Sequence, residues 1–179
     1  MSDRITEVTV ICEDAHHQSF LNFYLGGRWR IRWQKCTTGA GEHWVRETWG
    51  RELSEYRRRA HRRSTALLAI VDADTRSVAE REQQLFSAVQ AAPSESERVA
   101  LLVPRRHIET WILALGVAVD VNELDRYDRD RRVDRKAIQR AAERLYSLSR
   151  PNAPVQDDIL PSVRAGITTL RQFESKLRT

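Results

Sequence analysis

The sequence predicts an α/β fold: a small, mostly parallel sheet of about four strands with helices on both faces, followed by a helical C-terminal extension. Three observations predict it. Short apolar runs alternate with amphipathic helical segments, the run 66–71 leaves no position for a solvent-exposed face, and acidic residues follow several of the runs. A strand that is apolar throughout is typical of a parallel sheet covered by helices on both sides.

The first half of the chain contains two strand–helix units. Residues 7–12 predict a buried strand, and residues 17–25 predict a helix that ends at Gly26. Residues 29–36 alternate apolar side chains with arginines, which indicates a strand with one exposed face at the edge of the sheet. A helix is expected over residues 42–63.

The central strand and two further elements complete the predicted sheet. After the strand at 66–71, a helix is expected over 75–92, a fourth buried strand over 99–103, and a helix over 105–115. This alternation predicts right-handed crossovers between parallel strands. The composition changes near residue 116, so the sequence predicts a domain of residues 1–116.

Residues 117–179 are expected to form the helical extension. Residues 120–134 are dense in charge and predict a solvated loop or a short helix, whereas 137–148 and 161–177 have helical patterns. The last helix has a single apolar stripe, which must be buried. Two alternatives stay open at this point: the stripe packs on the preceding helix, or it docks a partner protein or a second copy of this chain.

Composition limits the class of protein. The 179 residues are enough for one core, and 30 Lys and Arg against 25 Asp and Glu favour an anionic partner. Cys12 and Cys36 are too few for a disulfide scaffold, and the five histidines lack zinc-hydrolase spacing, so we interpret them as surface or loop residues. No signal peptide or membrane span is recognised, so a cytoplasmic protein without membrane contact is expected.

Four acidic residues follow predicted strands or lie one turn beyond them. They are Glu13, Asp72, Asp74 and Glu109. Because the carboxyl ends of parallel strands meet at one edge of a sheet, these side chains should converge, and a cluster of carboxylates requires cations. The sequence therefore predicts a Mg²⁺ or Mn²⁺ site. The simpler alternative is that Asp72 or Asp74 caps the following helix.

These residues resemble the TOPRIM family, the catalytic fold of topoisomerases, primases and OLD-type nucleases. The resemblance covers residues 5 to 115 and depends on the strand end 10–14, the Asp-Ala-Asp of 72–74, and the segment 104–111, which is similar to small stand-alone TOPRIM-like proteins of bacterial defence systems.

The resemblance implies a metal-dependent nuclease that cleaves phosphodiester bonds. Glu13 would act as general acid or base or as a metal ligand, Asp72 and Asp74 would hold the metal, and Glu109 would complete the site. It also implies an anti-phage effector controlled by a separately encoded ATPase of the ABC, SMC or OLD type. The chain itself has no Walker loop.

Two other functions are consistent with the same residues. The sequence of residues 72–75, Asp-Ala-Asp-Thr, matches the strand end of haloacid-dehalogenase-type phosphatases, in which Asp72 would be the nucleophile and Glu13 dispensable. The chain could also be a non-catalytic TOPRIM-like protein that binds a partner. A need for Glu13 separates the nuclease from the phosphatase, and metal binding separates the nuclease from the non-catalytic protein.

Clustered arginines are the predicted nucleic-acid contacts. Five of the seven residues in 57–63 are arginines, and two more follow the fourth strand. We expect these side chains to bind phosphates rather than read bases. The predicted contacts are Arg57, Arg58, Arg62, Arg63, Arg105 and Arg106. The alternative is a solvated helix end whose charge complements the helix dipole.

Overall fold

The computed structural model describes residues 7–35, 41–59 and 64–178, without the side chains of Glu42 and Arg178. Its four strands form one sheet, in the order β2-β1-β3-β4, and all neighbouring pairs are parallel. The strands are β1 Glu7–Cys12, β2 Arg30–Lys35, β3 Thr65–Ile70 and β4 Val99–Leu102. The predicted α/β fold is confirmed, and β2 lies at the predicted edge.

Six α-helices surround this sheet, and a π-helical turn, Leu113–Val117, continues the fourth of them. The helices are α1 Ala15–Leu25, α2 Gly41–Arg59, α3 Val78–Ser87, α4 Ile108–Ile112, α5 Arg135–Ser149 and α6 Pro161–Arg178. Helix α3 begins later than predicted, because Ser77 and Glu80 form a capping box at its start. The predicted end of the second long helix, with Arg62 and Arg63, lies outside the described residues.

Two hydrophobic layers cover the two faces of the sheet. The side chains of β3 alternate between them, as the pleat of a strand requires. Ala66, Leu68 and Ile70 belong to the cluster that contains α1, α4, α5 and α6. Leu67 and Ala69 belong to the cluster that contains α2 and α3. This explains why the run 66–71 has no polar residue.

The C-terminal helices are part of the larger layer. The apolar stripe of α6 is buried in the same cluster as β1 and α1, and Leu170 is fully inaccessible. At Gly166 an added Cβ would lie 2.5 Å from the ring of Trp111, so α6 packs closely against α4. The stripe is therefore covered within the chain, and its interpretation as a docking surface is wrong. The division at residue 116 stays a prediction.

Buried polar contacts also attach α6 to α1. Glu174 accepts hydrogen bonds from the Tyr24 hydroxyl at 2.9 Å and from Arg28 at 3.0 Å. The Tyr24 hydroxyl lies 3.0 Å from the Ser149 hydroxyl of α5. Among the described residues, no helix is both long and apolar enough to cross a membrane.

Parallel topology separates the two ends of the sheet. We call the end where the strands finish the carboxyl edge, and the opposite end the amino edge. Each strand–helix crossover returns the chain to the amino edge, so the C-terminal end of α2 lies there, just before β3 begins. A six-residue strand separates the two edges by about 20 Å.

Candidate metal centre at the carboxyl edge

Glu13 and Asp72 lie side by side at the carboxyl edge, because β1 and β3 are neighbours in register. The backbone N–H of Asp72 donates a hydrogen bond to Oε2 of Glu13 at 2.9 Å. The first residue of α2 also approaches this carboxylate, since a Cβ added at Gly41 would lie 3.1 Å from Oε1. The structure thus brings together the two acids that were predicted to follow β1 and β3.

His17 lies between two carboxylates and is completely buried. Its Nδ1 is 2.9 Å from Oδ1 of Asp14, and its Nε2 is 3.0 Å from Oδ1 of Asp72. Since a carboxylate can only accept, both ring nitrogens donate and the ring is an imidazolium. The interpretation of His17 as a surface or loop residue is wrong, because Asp14 caps α1 and its first turn lies over the edge of the sheet.

His107 and Glu109 approach Asp72 from the other side. Nδ1 of His107 is 3.5 Å from Oδ2 of Asp72. Glu109, in the first turn of α4, is 6 % exposed, and its Oε1 accepts a hydrogen bond from Nδ1 of His16 at 2.6 Å. Glu109 therefore reaches the carboxyl edge as predicted. The contacts of His16 and His107 were not foreseen.

The carboxyl edge contains two sets of potential metal ligands that share one residue. Glu13, His17 and Asp72 form the first set, and Asp72, His107 and Glu109 form the second. Within each set, one ligand atom per residue lies within 4.8 Å of the others. These five residues, which we call the metal centre, could hold a metal ion, as the sequence predicted in general terms.

Asp74 belongs to neither set. Its backbone is left-handed, with φ of 55°, and its side chain is 40 % exposed. Its Oδ2 accepts a hydrogen bond from the buried Arg81 at 3.1 Å, and its Oδ1 lies 3.7 Å from His107. Asp74 therefore borders the metal centre beside His107 but belongs to neither ligand set, and its role as a metal ligand stays a prediction.

In the first ligand set, the pKa values of Glu13 and His17 are both raised, so these two side chains tend to keep their protons. Burial, together with the charge of Asp72, raises the pKa of Glu13 to about 7, although the charge of His17 acts in the opposite direction. Burial acts against the charged form of His17, but the charge of Asp72 and the hydrogen bond to Asp14 raise its pKa well above the ordinary value. A proton on His17 thus takes the place of a cation.

The acids that contact these histidines shift in the opposite direction. Burial disfavours the charged form of Asp72, but the charge of His17 and the hydrogen bond from His107 hold its pKa below the ordinary value. The hydrogen bond to Glu109 raises the pKa of His16, and the hydrogen bond to Asp72 raises that of His107. The carboxylates of the centre are consequently neutralised by protons on histidines, and a metal ion could replace those protons.

The predicted arginine contacts are divided between the two edges of the sheet. At the amino edge, Arg57 donates to Glu97 at 2.7 Å and to two backbone carbonyls, and Arg58 pairs with Glu55. At the carboxyl edge, Arg105 donates to a backbone carbonyl and Arg106 is half-buried. Arg57 and Arg58 therefore cannot contact a phosphate at the metal centre.

No known protein family, curated protein or solved structure matches this chain. The metal centre and its surroundings are therefore the features from which a function can be inferred.

The missed histidines had a signal in the sequence. His16 and His17 follow the two acids after the first strand, with only Ala15 between, and His107 lies between the fourth strand and Glu109. Side chains at such positions return to the carboxyl edge for the same topological reason as the acids. Sequence position relative to a strand end, rather than spacing between histidines, was the useful indicator.

Proposed function

We propose that the protein is a metal-dependent nuclease that hydrolyses phosphodiester bonds of nucleic acid at the carboxyl edge. The observation that carries this proposal is that Asp72 belongs to both ligand sets. Its Oδ1 faces His17, and its Oδ2 faces His107. A carboxylate shared in this way suits two neighbouring divalent ions. Such ions neutralise phosphate charge and stabilise the attacking and leaving oxygens of a displacement.

The donor set favours Mn²⁺ over Mg²⁺. Mg²⁺ prefers oxygen ligands and retains its waters, whereas each set here offers one imidazole nitrogen and two carboxylates. Mn²⁺ also binds carboxylates, and it accepts imidazole nitrogen as a ligand more readily than Mg²⁺ does. A transition metal such as Zn²⁺ is the competing occupant, because imidazole also suits Zn²⁺.

Glu13 is the best candidate for general base. Its pKa of about 7 matches the operating pH at which a carboxylate accepts a proton from an attacking water. Its Oε2 is fixed by the backbone N–H of Asp72, so the carboxylate is oriented before any substrate binds. This use of Glu13 separates the proposal from a phosphatase, in which Asp72 alone would attack.

The biological setting that we propose follows from the TOPRIM resemblance alone. In that setting the nuclease is an effector of anti-phage defence, and a separately encoded ATPase of the ABC, SMC or OLD type controls it. Co-purification with the products of neighbouring genes tests this part. A nuclease that is active without any such partner would contradict it.

The decisive experiment measures cleavage of single-stranded DNA, RNA and duplex DNA by metal-free protein reconstituted with Mn²⁺ or Mg²⁺. Glu13→Gln and Asp72→Asn, which conserve volume, should each abolish cleavage. The matched control is Glu95→Gln, the same change at an exposed residue that precedes β4, and it should leave cleavage unchanged. If Glu13→Gln retains full activity while Asp72→Asn loses it, the phosphatase is the better assignment; metal binding without any hydrolysis would favour a non-catalytic partner protein.

A further inference from the structure

A groove runs along α1 beside the metal centre. One wall consists of His16, Ser19, Asn22 and Phe23, which share a face of α1. The chain that enters α5, with Val133 and Arg135, forms the other wall. The groove has a volume of about 320 Å³, at the lower end of the roughly 300–1,000 Å³ that small-molecule sites span. It can hold one small planar group.

His16 connects this groove to the metal centre. Its Nδ1 donates to Oε1 of Glu109 at 2.6 Å, while the same side chain lines the groove and is 41 % exposed. A molecule in the groove therefore lies one side chain away from the second ligand set. The two sites can act on neighbouring parts of one substrate.

The groove combines an aromatic ring with polar groups that have no partner in the described part of the chain. The Ser19 hydroxyl and the Asn22 amide make no hydrogen bond to any described residue. The guanidinium of Arg135 lies 5.9 Å from the centre of the Phe23 ring. A ring, an amide and a guanidinium are the groups with which proteins stack on nucleobases and bind their edges.

The surrounding charge is positive and largely uncompensated. Arg135 and Lys136 are exposed and have no ion pair among the described residues, and the same is true of Arg129 and Arg131 on the preceding loop. Two aspartates of this loop are paired with other arginines: Asp130 with Arg132 at 2.6 Å and Asp128 with Arg126 at 3.2 Å. Phosphates that flank a base in the groove would therefore meet free cations.

We infer that this groove binds an unpaired nucleotide of a single-stranded nucleic acid, adjacent to the phosphodiester at the metal centre. The inference rests on the proposed nuclease function and specifies its substrate. Neighbouring bases cover the faces of each base in a duplex, so only an unstacked base can present its face to Phe23 and its edge to Asn22. The groove therefore selects single strands over duplexes.

The test measures binding without chemistry. Fluorescence anisotropy in EDTA follows a labelled single-stranded 12-mer of DNA or RNA and the same sequence as a duplex. We expect tighter binding of the single strand, and Asn22→Ala and Phe23→Leu should each weaken it about ten-fold. Arg135→Gln should weaken it and reduce the salt-dependence slope by about one unit.

Arg144→Gln is the matched control for Arg135→Gln. Both arginines are exposed on α5 without an ion pair among the described residues, and nine helical residues place them on opposite faces. Equal effects of the two variants, or preference for duplex, would overturn the inference. Because Asn22 is exposed, its variant should fold normally, so unchanged binding by Asn22→Ala would also count against the groove.

The outcomes distinguish the groove from the nuclease assignment. If groove variants lose single-strand binding while no metal supports cleavage, the groove is correct and the nuclease function is wrong. If the protein cleaves nucleic acid and the groove variants bind and cleave like the original protein, the nuclease function stands and the groove inference fails.

Discussion

The two edges of the sheet hold buried or half-buried charges in different ways. At the amino edge, Arg57 and Glu97 form a direct pair at 2.7 Å, and an arginine keeps its proton at any physiological pH. At the carboxyl edge, Asp72 and Glu109 are paired with histidines. A histidine can release its proton and then bind a metal through the same nitrogen. Charge pairs at the amino edge are thus permanent, whereas those at the carboxyl edge are replaceable.

This difference indicates which edge is functional. Both edges contain carboxylates that are paired with basic side chains, so the presence of acids alone does not separate them. The two edges differ in whether the basic side chain that pairs with a carboxylate can lose its proton.

Removal of residues 151–179 tests whether both edges belong to one folding unit. This truncation deletes α6 with Val163, Ile167, Leu170 and Phe173, all buried in the core shared with β1. At about 2 kcal/mol for each buried side chain, the loss is comparable with the whole stability of a domain. We expect an unfolded or aggregated protein by circular dichroism. A cooperative thermal transition of the truncated chain would instead show that residues 1–150 fold without α6.

Asp72→Asn should eliminate metal binding to both ligand sets, because Asp72 is the one residue that they share. We expect Mn²⁺ affinity, measured by isothermal titration calorimetry, to fall by more than about a hundred-fold. Glu109→Gln should impair only the second set, so one of two binding events should remain. If Asp72→Asn and Glu109→Gln have the same stoichiometry as the original protein, the shared-carboxylate arrangement is incorrect.

The stability of the metal-free protein should depend on pH at the carboxyl edge. The folded-state pKa of Glu13, about 7, lies above its ordinary value of 4.5, and that of His17 also lies above its ordinary 6.5. Folding therefore favours the protonated forms, and this stabilisation is lost as the pH rises through 7 and beyond. Denaturant unfolding in EDTA should give a smaller free energy of unfolding at pH 8.5 than at pH 6.

Mn²⁺ should reverse this trend, because its ligands must lose their protons. The increase in melting temperature caused by saturating Mn²⁺ should be larger at pH 8 than at pH 6. An equal increase at both values, together with a stability that does not change with pH, would show that the histidines do not substitute for a cation.

Arg57→Gln should have the smallest effect. Its partner Glu97 is half-buried, and an ion pair of this exposure contributes about 1 kcal/mol or less. We expect a slight loss of stability by thermal denaturation and no change in Mn²⁺ affinity or single-strand binding. Weaker nucleic-acid binding by Arg57→Gln would restore the original expectation that the arginines of α2 contact phosphate.

The sequence predicted the strands and their acids because each strand is apolar on both faces. A run such as 66–71 has one compatible environment, and Asp72 comes directly after it. Charge alone did not locate Arg57 and Arg58 relative to the acids, and their role as phosphate contacts stays a prediction. In a parallel sheet, a helix that follows a strand must end at the amino edge, so Arg57 and Arg58 could not accompany Glu13.

The histidines could not be derived from spacing. His17 and Asp72 are 55 residues apart, and their 3.0 Å contact depends on the register between β1 and β3 and on the cap that Asp14 provides. Strand register follows from pairing that a single sequence does not display. The packing of α6 on α4 was undetermined for the same reason, since an apolar stripe shows that a helix is covered but not by what.

The continuous burial of β3 has a consequence for engineering. Every side chain from Ala66 to Val71 is inaccessible, so substitution within the strand alters the core, whereas Asp72 is the first position that faces the metal centre. Ligand chemistry can therefore be exchanged at the end of an unchanged scaffold. Replacing Glu13 or Glu109 with histidine offers a direct route to variants that prefer softer metals, with the hydrophobic layers left as they are.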